Sequence, residues 1–135
     1  MKNLLSYGLT VLAVVIIAYT FVVYSTDNDA IEFLNFYGWQ VNEKPIESQS
    51  VVIPWEFDVV YEDYNALQKQ AGLDLSGYKG KKGTRYTYHV LNYPGNVENV
   101  RANVIVIDGK AVAGDISTVA LDGFMHSLKY SFQKS

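Results

Sequence analysis

Leu4 to Tyr24 contains no charged residue, and that run most constrains what the rest of the chain becomes. As a helix its 21 residues reach roughly 31 Å at about 1.5 Å per residue, which matches the hydrocarbon thickness of a bilayer. Val11, Val15, Ile17, Phe21 and Val23 place apolar surface on every helical face, so the run lacks the single stripe of a surface helix. Tyr7, Tyr19 and Tyr24 lie towards its ends, where amphipathic rings favour the headgroup level. Lys2 precedes the run, whereas Asp27, Asp29 and Glu32 follow it. The positive-inside bias then leaves the N-terminus in the cytoplasm. The expectation is a single-pass protein of the cell membrane: residues 1–25 as cytoplasmic N-terminus and transmembrane helix, residues 26–135 as an extracytoplasmic domain. A cleaved secretory signal, releasing that domain, is the alternative. The run exceeds the roughly 7 to 15 residues of a usual signal core, and no Ala-x-Ala pattern follows it, which favours the anchor.

Composition removes several classes of chemistry. The chain has no cysteine, which excludes disulfides, thiol catalysis, cysteine-rich zinc sites and lipidated cysteine. Its formal net charge is −3, and the exported part, without Lys2, is more acidic still, so nucleic acid is not an expected partner. The exported part must hold together by packing alone.

Beyond the apolar run the spacing predicts a short helix over 27–37, stopped at Gly38. Ser48 to Ile53 reads as a strand ending at Pro54. A helix follows in which Phe57, Val60, Tyr61, Tyr64, Leu67 and Ala71 form the apolar face and Gly72 the stop. A glycine-rich connection over 73–83 leads to a strand from Thr84 to Tyr93, where Tyr86, Tyr88 and Val90 alternate with Arg85, Thr87 and His89. Val100 to Ile107 and Lys110 to Val119 read as two further strands, paired through the Asp108-Gly109 hairpin signal. Leu121 to Phe132, with apolar residues at helical spacing, is expected to form a closing helix. The order implies an α+β domain: a helix packed on an antiparallel sheet with a C-terminal three-strand meander.

The motifs Tyr37-Gly38-Trp39-Gln40-Val41, Val52-Ile53-Pro54, Leu75-Ser76-Gly77-Tyr78-Lys79-Gly80, Arg85-Tyr86-Thr87-Tyr88, Asn92-Tyr93-Pro94, Val100-Arg101-Ala102-Asn103 and Leu121-Asp122-Gly123-Phe124-Met125-His126 make the chain similar to a bacterial family, domain of unknown function 4830. The likeness runs from about Ile31 to Leu128. It implies domain extent and an exported location, and carries over no catalytic residue. The element order also resembles a cystatin-like topology, an analogy of fold only.

Two constellations stand out as candidate sites. Lys79, Lys81, Lys82 and Arg85, with Tyr78, concentrate positive charge in the glycine-rich connection, where an anionic envelope polymer or an envelope protein is the expected contact. That connection lacks nucleotide-loop spacing. Asp115, Asp122 and His126 form a candidate polar corner. The two histidines, His89 and His126, show no zinc spacing, so no metal, cofactor or catalytic residue is assigned. Arg101 and Asp115 are expected to pair across the hairpin. Trp39, Trp55, Tyr78 and Tyr93 fall at element edges and are expected in an exposed aromatic patch. No serine lies in a nucleophile motif. The reading is a membrane-anchored, non-enzymatic interaction or binding module of the cell envelope. The alternatives are a small protease inhibitor or regulator, or a hydrolase at the polar corner. Lys110-Ala111-Val112-Ala113-Gly114 is similar to an inhibitor hairpin motif but lacks its Gln.

Overall fold

The computed structural model describes residues 29–130. The apolar run Leu4 to Tyr24 lies outside them. Among the described residues no helix is long and apolar enough to cross a membrane. The order is α1 (29–36), β1 (Glu47–Val52), α2 (Val59–Gln70), a 3₁₀ turn (Leu75–Tyr78), β2 (Lys82–His89), β3 (Val100–Ile107), β4 (Lys110–Thr118) and β5 (Met125–His126). The strands form one antiparallel sheet in sequence order, β1-β2-β3-β4-β5. The domain is therefore α+β, and the expected three-strand meander is the centre of a five-strand one.

Both helices end in the same way, and the chain dictates it. Gly38 and Gly72 have φ of 91° and 79°. At the first, Trp39 N–H donates to Leu34 O and Gly38 N–H to Asn35 O; at the second, Leu73 N–H donates to Gln68 O and Gly72 N–H to Lys69 O. These are Schellman closures, which need a left-handed residue that glycine adopts without a Cβ penalty. At the other end of α2, Asp58 accepts from Tyr61 N–H at 2.8 Å as the N-cap.

β3 and β4 are buried on both faces, which is why they read as near-continuous apolar runs. Asp108 and Gly109 both have positive φ, 51° and 76°, the type I′ geometry that two-residue hairpins favour. A bulge between Ile105 and Val106 shifts the register, so that Ile105 faces Ala113 and Val106 faces Ala111. On one face of the sheet Tyr88, Ala102, Val104 and Ile116 pack with Ala30 and Leu34 of α1, Trp39 and Leu128. On the other face Ile105, Ile107 and Ala113 pack with Ile53, Leu75 and partly buried side chains of α2.

The buried face of α2 and the segment after β4 depart from the sequence reading. The fully covered residues of α2 are Asn65 and Gln68, while Val60 is 76% exposed. The polar pair is buried because each replaces a missing backbone partner. Asn65 Oδ1 accepts Leu75 N–H at 2.7 Å and its Nδ2 donates to Asp74. Gln68 Oε1 accepts Gly114 N–H at 2.9 Å, and Asp29 Oδ2 accepts Ala111 N–H at 2.9 Å. β5 pairs only with Ile116 and Ser117, so these two side chains cover the β4 edge beyond its reach. The expected closing helix from Leu121 is absent from the described residues. Instead residues 121–122 lie in a turn and Met125–His126 form β5, and Phe124, His126, Leu128 and Tyr130, two apart, serve the α1 side of the sheet.

Candidate functional site

Opposite residues in antiparallel strands share a face, and the register fixes which side chains meet under α2. On that face β2 supplies Arg85 and Thr87, β3 supplies Ile105 and Asn103, and β4 supplies Ala113, Asp115 and Ser117. Helix α2 covers the half of this face that carries Ile105, Ile107 and Ala113. On the half that carries Asn103 and Asp115, Tyr64 of α2 bonds to Asp115. Between the two lies a groove of about 650 Å³, crossing the sheet from Val51 and Val52 of β1 to Met125 of β5. Val60, Tyr61, Tyr64 and Leu67 form the α2 wall, and Arg85, Asn103, Ile105 and Asp115 form the floor.

The polar groups of the floor are bonded to one another. Asp115 is 2% exposed. Its Oδ2 accepts Tyr64 O–H at 2.8 Å and its Oδ1 accepts Asn103 Nδ2–H at 2.9 Å. Thr87 O–H donates to Asn103 Oδ1 at 2.7 Å, so three strands in register and one helix converge on a single carboxyl group. Burial pushes the Asp115 carboxyl above the ordinary aspartate range, against the lowering effect of its hydrogen bonds from Asn103 and Tyr64. Burial, then the charge of Asp115, pushes the Tyr64 phenol well up. Arg85 differs from these groups. Its Nε is buried with no partner among the described residues, and Nη2 lies 3.4 Å from Gln49 Oε1.

The residues of the polar corner are separated by strand alternation. His126 stands opposite Ile116 and therefore faces the α1 side, whereas Asp115 faces the groove. Its Nδ1–H donates to the Ser127 carbonyl at 2.8 Å, which leaves Nε2 to accept Tyr93 O–H at 3.0 Å. The ring stacks on Phe124 at 5.3 Å and Tyr130 at 4.4 Å. Asp122 is exposed in the preceding turn. Among the described residues no three metal-ligating side chains gather. The expected Arg101–Asp115 bridge is also replaced: Arg101 stands opposite Ser117, and the neutral Asn103 holds the carboxyl.

The basic connection does not form one patch. Lys79 Nζ lies over the Phe57 ring, 4.8 Å from its centroid. Lys81 faces Asp108 at 4.0 Å, Lys82 opens β2 opposite Val52, Tyr78 packs against the Ile53 cluster, and Arg85 belongs to the groove. The expected aromatic patch is corrected likewise. Trp39 is wholly buried and donates from Nε1 to Leu128 O at 2.8 Å; Tyr93 stacks on it at 5.7 Å. Of that set Trp55 is exposed, at 75%. The segment Ala111 to Gly114 is buried inside β4, so its likeness to an inhibitor hairpin does not extend to a protruding loop.

A family described as domain of unknown function (DUF4830) matches residues 33–116, more than half of the chain, taking in β1 to β3 and β4 as far as Ile116. The chain belongs to the DUF4830 family. No curated protein and no solved structure matches it. The DUF4830 match takes in α2, Arg85, Asn103 and Asp115 and stops at Ile116, so the groove floor lies wholly within the family's domain.

Sequence reasoning placed Arg85 and Asp115 in two different candidate sites, left Tyr64 and Val60 to packing and gave Asn103 no role. The signal that links them is the strand register. Asn103 and Asp115 flank the hairpin symmetrically enough to pair, and Thr87 and Arg85 occupy the same face of β2.

Proposed function

We propose that this domain is a non-enzymatic binding module displayed at the outer side of a membrane, held there by Leu4 to Tyr24. The carrying observation is the groove beside α2, whose wall residues Val60, Val52 and Met125 are 76%, 59% and 52% exposed although they are apolar. Three such side chains around one concavity with a bonded polar floor have the character of a ligand site. The uncharged run and the acidic residues after it support the outward placement, and the few residues between Tyr24 and α1 would keep the domain near the bilayer.

Crosslinking of the full chain in cells, followed by mass spectrometry, tests this reading. The expected result is a recurrent adduct mapped to α2 or Met125 that is lost in Val60→Asp, together with protease accessibility of the domain only from the outer side. Adducts confined to other surfaces, or a domain digested only after the cytoplasmic side is opened, would overturn it.

A further inference from the structure

The groove's unused chemistry points to the class of molecule it holds. Tyr64, Asp115, Asn103 and Thr87 satisfy one another, so they offer a ligand little that is unpaired. What is left over is a donor on Arg85: Nη2 donates to Gln49 Oε1 over a long 3.4 Å, and the buried Nε has no acceptor among the described residues. Arginine carries only donors and fits a carboxylate with two parallel bonds. Asp115 does not supply that partner, because its oxygens are held by Tyr64 and Asn103 and no ion pair joins it to Arg85 among the described residues. Burial, the larger effect, raises the Asp115 carboxyl, while the Arg85 charge draws it down with no bond between them. Asp63, the other acid on the lining, is exposed on α2 and screened by water.

The remainder of the groove is apolar: Val52, Val60, Leu67, Ile105 and Met125. A peptide laid there would bring amide groups into contact with surfaces that offer them no partners, at the cost of their hydration. An alkyl chain carries no such groups. We infer that the groove takes an aliphatic carboxylate, a fatty acid of medium chain length, with its acid on Arg85 and its chain along Val60, Leu67 and Met125. The inference rests on the reading of the groove as a binding site and adds the ligand class. A volume of about 650 Å³ suits it, lying within the roughly 300 to 1,000 Å³ of small-molecule sites.

The test uses the full chain in phosphatidylcholine nanodiscs with a dodecanoate bearing a diazirine, photolysed and mapped by mass spectrometry. Octanoate, decanoate, dodecanoate and decanol serve as competitors. Label is expected on α2 and Met125. Competition should strengthen by about fourfold per added methylene, and decanol should compete at least about tenfold less well than decanoate. Arg85→Gln should bring decanoate down to the level of decanol, while Val60→Asp weakens both. The acid-against-alcohol comparison in the unaltered chain needs no variant to fold. Equal competition by decanoate and decanol, with label still in the groove, would overturn the carboxylate while leaving the binding site in place. Label distributed outside the groove would overturn both.

Discussion

The two faces of the sheet are built to different rules. The α1 side is closed: Leu34, Trp39, Tyr88 and Leu128 are fully covered, and an aromatic stack runs from Trp39 through Tyr93 to Phe124 at 5.7 and 5.3 Å. The α2 side is half open, with a buried carboxyl, a guanidinium whose Nε lacks an acceptor among the described residues and exposed valines around one groove. Packing explains the first face completely, because each large side chain there removes apolar surface from water. It does not explain the second. A polar network under a helix is costlier to build than an apolar one, and exposed Val60 contributes little to folding where it stands. The contrast separates a face that holds the domain together from one that is available to a ligand.

The largest effect expected from breaking the closed face is that of Trp39→Ala, which removes a fully buried ring and its bond to Leu128 O. A loss of about 3–5 kcal/mol is expected in denaturant unfolding, enough to threaten folding of a domain this size. Next comes Gly114→Ala. A Cβ there would lie 2.6 Å from Asn103 O and 2.9 Å from Leu128 Cδ1, and the Asn103 carbonyl is backbone and cannot swing aside. A loss of about 1–3 kcal/mol is expected for such overpacking, read from the same unfolding curves.

On the open face, Asp115→Ala should cost about 1–3 kcal/mol by leaving Tyr64 O–H and Asn103 Nδ2 without an acceptor. Asp115→Asn should cost far less, since its amide offers an oxygen to Asn103 and a donor to the Tyr64 oxygen. The pH dependence distinguishes the two states of the native group. A carboxyl raised in the folded state binds more protons than the unfolded chain between the ordinary aspartate pKa and its own raised value. Stability from Asp115 is therefore fully present below the ordinary value and is lost as pH rises through the raised one. Asp115→Asn should flatten that decline in unfolding free energy measured across mildly acid pH. The smallest effect is that of Val60→Ser, within about 0.5 kcal/mol in stability, although ligand binding should fall.

Much of this arrangement was legible in the chain. The alternation of Tyr86 and Tyr88 with Arg85 and Thr87, the Asp108-Gly109 turn and the glycine stops at 38 and 72 depend on local geometry, which the sequence carries directly. The apolar face of α2 was legible at Phe57, Tyr61, Tyr64 and Ala71, but not the burial of Asn65 and Gln68, which bond to Leu75 and Gly114, partners 10 and 46 positions away; hydropathy does not register such a need. Leu121 to Phe132 has helical spacing, yet its described residues also repeat in twos at Phe124, His126, Leu128 and Tyr130, and tertiary packing selects the turn and short strand instead. The candidate site was legible only in fragments. Asp115 and His126 are close in the chain's pairing, but a single step of register sends them to opposite faces, and Arg85 belongs with the first of them.

The division between the faces is tested most directly by urea unfolding of the full chain in nanodiscs, with and without dodecanoate below micelle-forming concentrations, for the unaltered protein and Val60→Asp. A ligand that binds only the folded state raises stability by RT ln(1 + [L]/Kd). The account predicts midpoints that agree within about 0.5 kcal/mol without dodecanoate, and a rise on adding it that Val60→Asp does not show. A variant that unfolds far more easily on its own, or that shows the same rise, would contradict it.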